Sequence, residues 1–148
     1  MEPICSLTYW SRAVRPMEDA ELLQLLDKAR AANARRGVSG ILLYKSGCFL
    51  QVLEGEAGVV EALIAKIARD PRHEDVRILR RDSGPRQFGE WSMGFQKLSD
   101  LRLVEAGESD LMSVPFDAEY FGANPTKVQE LLLCFRGMNN PELVTTLG

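Results

Sequence analysis

A chain of 148 residues with 45% hydrophobic and 26% charged residues suits one globular domain with a complete core. Its formal net charge of −3 argues against nucleic acid as the main partner, and no apolar run approaches the roughly 18 residues of a membrane-spanning helix. The start, Met1-Glu2-Pro3, lacks the basic and apolar regions of a secretory signal, so the expected location is the cytoplasm, away from membranes.

Ile4 to Trp10 is an apolar, β-branched run that reads as a first strand. Tyr9 sits near its end, followed by Trp10-Ser11-Arg12. Pro16 interrupts, and Met17-Glu18-Asp19 opens a helix whose apolar face is Leu22, Leu23, Leu25, Leu26 and Ala29. Lys28, Arg30, Arg35 and Arg36 lie toward its C-terminal end, where the helix dipole favours cations, and Gly37 is the stop signal. Asn33 falls in the last turn or just after it. On its own it reads as a helix-end amide bonding loose carbonyls. Val38 to Tyr44 is a second strand, Lys45-Ser46-Gly47 a tight turn, and Cys48 to Leu53 a third strand, together a hairpin. Val59 to Arg69 is a second helix with Val60, Leu63, Ile64 and Ile67 on one face. It ends at Asp70-Pro71-Arg72-His73, since the residue before a proline resists helical geometry. Val76 to Leu79 is a fourth strand. A polar stretch from Arg80 to Gln87 leads to a fifth strand over Phe88 to Phe95, in which Trp91 and Met93 share one face.

The third strand organises the rest. Gly47-Cys48-Phe49-Leu50-Gln51-Val52-Leu53-Glu54-Gly55 is apolar on both alternating faces, the pattern of a central strand covered on both sides. Gln51 breaks that pattern. A buried amide without partners costs roughly 1–3 kcal/mol, so Gln51 needs a protein group, a water or a ligand. The order β-α-β-β-α-β-β begins as a split βαβ. The predicted fold class is therefore α+β: a ferredoxin-like βαββαβ with a fifth strand, plus C-terminal helices packed on the open sheet face. In that topology the first and third strands are neighbours, which brings Tyr9 beside Gln51. Asn124-Pro125 is a helix start, with Val128, Leu131, Leu132 and Phe135 as an apolar stripe ending at Gly137. The expected division is a main domain over 1–98 and a helical cap over 99–148, too short for a large core of its own.

Several chemistries have little material. Cys5, Cys48 and Cys134 are far apart, odd in number and set in apolar surroundings, as reduced core thiols are. His73 is the only histidine, which leaves little for a metal site or a Ser-His-Asp constellation, and no metal is expected. Neither a Walker A loop nor a GxGxxG fingerprint occurs.

With these residues placed, the chain resembles the BLUF family, blue-light sensors that use flavin, over residues 4–97. Tyr9-Trp10-Ser11 is similar to the family's Tyr-x-Ser at the end of the first strand. Asn33-Ala34-Arg35 with Gly37-Val38-Ser39-Gly40 resembles its Asn-bearing helix end. Phe49-Leu50-Gln51-Val52-Leu53-Glu54-Gly55 is similar to its most distinctive strand, Asp70-Pro71-Arg72-His73 to its second-helix exit, and Phe88-Gly89-Glu90-Trp91-Ser92-Met93 to its last strand. Ala32 departs from members that carry a polar side chain before the Asn.

The resemblance implies a flavin, FAD with FMN as the alternative, between the two helices. Leu25 and Ile67 would sandwich the ring and Asn33 would bond its polar pyrimidine edge. Asp70, Arg72 and His73 would lie near the ribityl or phosphate end, and Ser11 would belong to the flavin-binding set. It also implies that Tyr9 gives up an electron and its phenolic proton passes through Gln51. The Gln51 amide would be left rotated or tautomerised, with donor and acceptor exchanged. Trp91 and Met93 would relay the signal. Each residue has a plainer reading: core filling for Leu25, Ile67, Trp91 and Met93, and a solvated helix terminus for Asp70, Arg72 and His73. The expected function is a blue-light photoreceptor, not an enzyme, acting on an unknown downstream protein or as a homo-oligomer. Two alternatives stand beside it, a flavin-dependent redox enzyme and a cofactor-free ferredoxin-like interaction module.

Overall fold

The described residues include, in chain order, β1 (Ile4–Ala13), α1 (Asp19–Arg36), β2 (Ser39–Lys45), β3 (Cys48–Glu56), α2 (Ala57–Arg69), β4 (His73–Ser83), β5 (Gly94–Lys97), α3 (Ala118–Ala123) and β6 (Thr145–Thr146). The structure, a computed structural model, describes residues 4–15, 17–45, 47–89, 92–97, 117–126, 128–130, 132 and 145–146. Trp91, Leu131, Cys134, Phe135 and Gly137 lie outside the described residues.

Local chemistry sets the element ends. The backbone N–H of Glu18 donates to Glu21 Oε1 at 3.4 Å before α1 begins, and α1 stops where Gly37 takes φ of 69°, a left-handed conformation that glycine adopts without steric cost. Helix α2 ends at Asp70, the residue before Pro71.

The sheet runs β4-β1-β3-β2-β5-β6. Strands β4, β1, β3 and β2 pair antiparallel in that order, while β5 lies parallel to β2. β3 is central, as its doubly apolar sequence predicts, and its register pairs Tyr9 with Gln51 on one side and Leu42 with Gln51 on the other. Side-chain alternation then splits the core in two. On one face Tyr9, Leu42, Phe49, Leu53 and Met93 pack with Leu22 and Leu26 of α1 and Val60 and Ile64 of α2. On the other, Trp10, Ile41, Leu43, Leu50 and Val52 pack with Phe88, Ala118, Phe121, Val128 and Leu132. Both faces are covered, which is why β3 carries no solvent-facing polar row.

The end of the sheet differs from the sequence expectation. β4 runs on to Ser83, and β5 begins at Gly94 rather than at Phe88. The backbone N–H groups of Gln87 and Phe88 donate to the buried Glu54 carboxylate at 2.6 and 2.9 Å. The carbonyls of Ser92 and Met93 accept from side chains of α1. Those groups are thus committed elsewhere, and the ladder starts only once they are passed. Helix α3 was not anticipated either. Asp117 caps it by accepting from the backbone N–H of Tyr120 at 2.7 Å, and Asn124 closes it by donating to the Tyr120 carbonyl at 2.9 Å. Pro125 then resumes helical geometry as expected.

Candidate functional site

The pairing of β1 with β3 brings a phenol and an amide together in a dry place. Tyr9 is 2% exposed and Gln51 6%. The Tyr9 hydroxyl donates to Gln51 Oε1. At the other end of the amide, Gln51 Nε2 donates to Met93 Sδ at 3.2 Å. The three side chains form one line: phenol, amide, thioether. Its two ends are unequal, because a thioether is a weak acceptor. Burial pushes the Tyr9 phenol well above its ordinary pKa, and the Asp70 charge pushes the same way, so the hydroxyl keeps its proton and donates.

The line opens onto a cleft of about 230 Å³ between α1 and α2. Tyr9, Leu42, Phe49, Gln51 and Leu53 form its floor. Leu25, Leu26, Ala29 and Ala32 of α1 face Leu63 and Ile67 of α2 across it. Asn33 reaches in from the last turns of α1, and Lys28, Arg36, Lys66 and Arg72 stand at its rim with Asp70 and His73. Asn33 is 3% exposed. Its Nδ2 donates to the Ser92 carbonyl at 3.0 Å, and among the described residues no group donates to its Oδ1. A helix-end role for that amide is thereby replaced by a tie to a distant segment, with one acceptor left over.

The rim is ordered by charge. Arg72 grips Asp70 through Nε and Nη2, with contacts of 2.5–3.1 Å. That hydrogen bonding holds the Asp70 carboxyl down at about 2. His73 goes the other way for a cation: desolvation is the largest effect and lowers its pKa, against the pull of Asp70. Its Nδ1 shares a hydrogen bond of 3.0 Å with Ser11 Oγ, and its ring lies 5.0 Å from that of Phe49.

The structure gathers Tyr9, Leu25, Asn33, Gln51, Ile67, Asp70, Arg72 and His73 around one cleft. Met93 touches Gln51 from outside the cleft walls. Ser11 is fully buried behind His73, where its hydroxyl meets the imidazole rather than the cleft. Sequence reasoning missed the cationic rim of Lys28, Arg36 and Lys66, whose spacing is that of ordinary helix-surface charge. It also missed Arg30, which donates to the Met93 carbonyl at 2.8 Å. Among the described residues no group of three or more His, Cys, Asp or Glu side chains could hold a metal ion.

The implied flavin fits this cleft. Its walls are apolar and face each other across a slot, as a flat ring requires. Asn33 Oδ1 offers an unmatched buried acceptor, Gln51 is a buried amide with only a weak acceptor for its N–H donors, and the rim is cationic where phosphate would emerge.

Comparison with known proteins agrees with this geometry. The BLUF family, described as sensors of blue-light using FAD, matches residues 4–94. The chain is 42% identical over 73 residues to the photoactivated adenylate cyclase subunit beta of Euglena longa, a match that covers 49% of this chain and only 8% of that protein. Among solved structures it is similar to dark-state BlrB, a BLUF protein, with a TM-score of 0.77 and 28% identity over 94% of this chain and 99% of that one. It is also similar to photo-activated BlsA, with a TM-score of 0.71 and 28% identity over 97% and 96%.

Proposed function

The chain belongs to the BLUF family of blue-light sensors, and from that membership we propose that it signals by rearranging the line Tyr9–Gln51–Met93 beside a bound flavin. It is a sensor rather than an enzyme. The observation that carries the reading is the buried amide of Gln51, held between a strong donor at one end and a weak acceptor at the other.

Bound flavin supplies a blue-absorbing ring that becomes a strong oxidant when excited. The protein supplies the rest. Tyr9 is an oxidisable side chain whose hydroxyl proton is already hydrogen-bonded to Gln51 Oε1. Tyr9 would give up its electron and proton together and regain both when the radical pair recombines, so no net oxidation remains, and Gln51 would be left turned or in its other tautomer at almost no steric cost, since the two ends of an amide are nearly isosteric. The exchange takes the amide N–H away from Met93 Sδ. A buried hydrogen-bond swap is worth about 1–3 kcal/mol per broken pair, enough to bias a two-state element. Leu25 and Ile67 would hold the ring faces and Asn33 its polar edge. Arg72, with Asp70 and His73, would hold the ribityl or phosphate end, Ser11 fixing the His73 ring from behind. FAD is the flavin we assign, with FMN the alternative that the same cationic rim would serve.

The signal would leave through Met93 into β5 and reach the far core, where Phe88 meets Phe121, Val128 and Leu132. We assign residues 1–98 to sensing and 99–148 to a helical output extension. Its receiver would be a downstream protein or a second copy of the chain, in the cytoplasm. The redox-enzyme alternative would need a reactive thiol, and burial raises the pKa of the Cys5 and Cys48 thiols, which lowers their thiolate fraction.

The test is direct. Protein purified with FAD or FMN should be yellow, its flavin band should move to longer wavelength under blue light, and the band should return in darkness. A protein that binds neither flavin ends the proposal.

A further inference from the structure

Arg30 is out of place on α1. The sheet-facing side of that helix buries Leu22, Leu26 and Asn33, and Arg30, one turn before Asn33, is half-buried there. Desolvation works against its charge, only partly offset by Asp27. Unlike Lys28 and Arg36, it does not line the cleft. Its Nε donates to the Met93 carbonyl at 2.8 Å, while Asn33 Nδ2 donates to the Ser92 carbonyl at 3.0 Å. Two side chains three residues apart on one helix face thus hold consecutive carbonyls. They do so just before β5, at residues 92 and 93.

We propose that Arg30 is a positioning residue of the photoswitch: by gripping the Met93 carbonyl it keeps Met93 Sδ in place as the acceptor for Gln51 Nε2. The inference rests on the light-sensing reading above. Its physical basis is that the carbonyl and the side chain of Met93 share one Cα. A charge-assisted hydrogen bond at the carbonyl therefore restricts where the flexible thioether can go. Asn33 touches both the cleft and Ser92, so α1 binds the ligand space and the lead-in to β5 as one body. Without Arg30 the Met93 carbonyl loses that donor, while Asn33 still holds the Ser92 carbonyl.

The test compares Arg30→Met, which keeps the apolar stem but no donor, with Arg30→Lys, which keeps a charged donor. Arg35→Met, an exposed position on the same helix, is the control. All variants should bind flavin as the wild type does. After blue light, Arg30→Met should recover about tenfold more slowly in darkness, because Gln51 must find a wandering acceptor; tenfold corresponds to about 1.4 kcal/mol. Arg30→Lys should recover most of the rate, and Arg35→Met should match the wild type. A second readout needs no light: hydrogen exchange of the peptide spanning 92–97 should speed up in Arg30→Met and not in Arg35→Met. If Arg30→Met fails to fold, Arg30→Leu, which also lacks a donor, takes its place. Wild-type recovery together with wild-type exchange in the donor-lacking variant overturns the assignment. Equal effects in Arg30→Lys and Arg30→Met overturn it as well. A wild-type protein that does not respond to light sinks the underlying reading and this assignment with it, a result distinct from the other two.

Discussion

The proposed switch needs Gln51 to be buried, uncharged and two-ended, and in the structure it is a buried amide bonded at both ends. Replacing it with Leu should leave flavin binding intact and abolish the reversible light-induced shift of the flavin band. Stability should change by no more than about 1–2 kcal/mol, since the lost hydrogen bonds are offset by added apolar contact. Tyr9→Phe should abolish the same shift while leaving the fold unchanged, and a retained shift would rule out the phenol as donor. The rim residues give pH predictions. The Asp70 carboxyl is held below its ordinary 3.8, at about 2, so its pairing with Arg72 stabilises the fold fully above the ordinary value. That contribution is lost as pH falls toward 2. Urea unfolding of wild type and Asp70→Asn should therefore differ at pH 5 and converge toward pH 2. His73, the only histidine, should titrate below its ordinary 6.5 because it is desolvated, and its stabilising neutral form is lost as pH falls through that lowered value. One imidazole resonance followed by NMR reads this out without ambiguity. Gln51 was legible in the sequence because an amide inside an apolar strand has no bland surroundings. Arg30 was not, because a cation near a helix C-terminus is already explained by the dipole, and only the fold shows the carbonyl it holds.

At the scale of elements, the hairpin of β2 and β3 is the part most sensitive to added volume. A Cβ on Gly40 would lie 1.9 Å from the Val52 carbonyl oxygen and 3.5 Å from the Met93 methyl. Gly40→Ala should thus destabilise the protein by about 1–3 kcal/mol, measured by urea unfolding. The hairpin and both helices were readable from turn glycines, Asp70-Pro71 and apolar period. The lead-in to β5 was not. Phe88 to Phe95 has the aromatic content of a strand, yet its backbone groups are taken by Glu54 at one end and by Arg30 and Asn33 at the other. These are partners far apart in sequence, and no local pattern announces them. Helix α3 was missed because six residues, Ala118–Ala123, give less than two turns of periodicity.

For the molecule as a whole, one sheet separates two cores, with Phe88 in one and Met93 in the other. Phe121, fully buried on the far side, ties the C-terminal part of the chain to that sheet. Phe121→Ala should cost about 3–5 kcal/mol of stability, and a change under 1 kcal/mol would mean that the far face is not a true core. That a cover lies over the far face was legible from the doubly apolar β3; how the cover is built was not, since it depends on side chains from Trp10 to Leu132 meeting across the chain. The account as a whole turns on whether the Gln51 amide itself changes its bonding under light. Light-minus-dark infrared spectroscopy of the flavin-loaded protein, with glutamine side chains isotopically labelled, measures that directly. The account predicts a light-induced shift of one glutamine amide band that relaxes at the same rate as the flavin absorption and vanishes in Gln51→Leu. A flavin band that shifts and recovers while no glutamine band moves would contradict it.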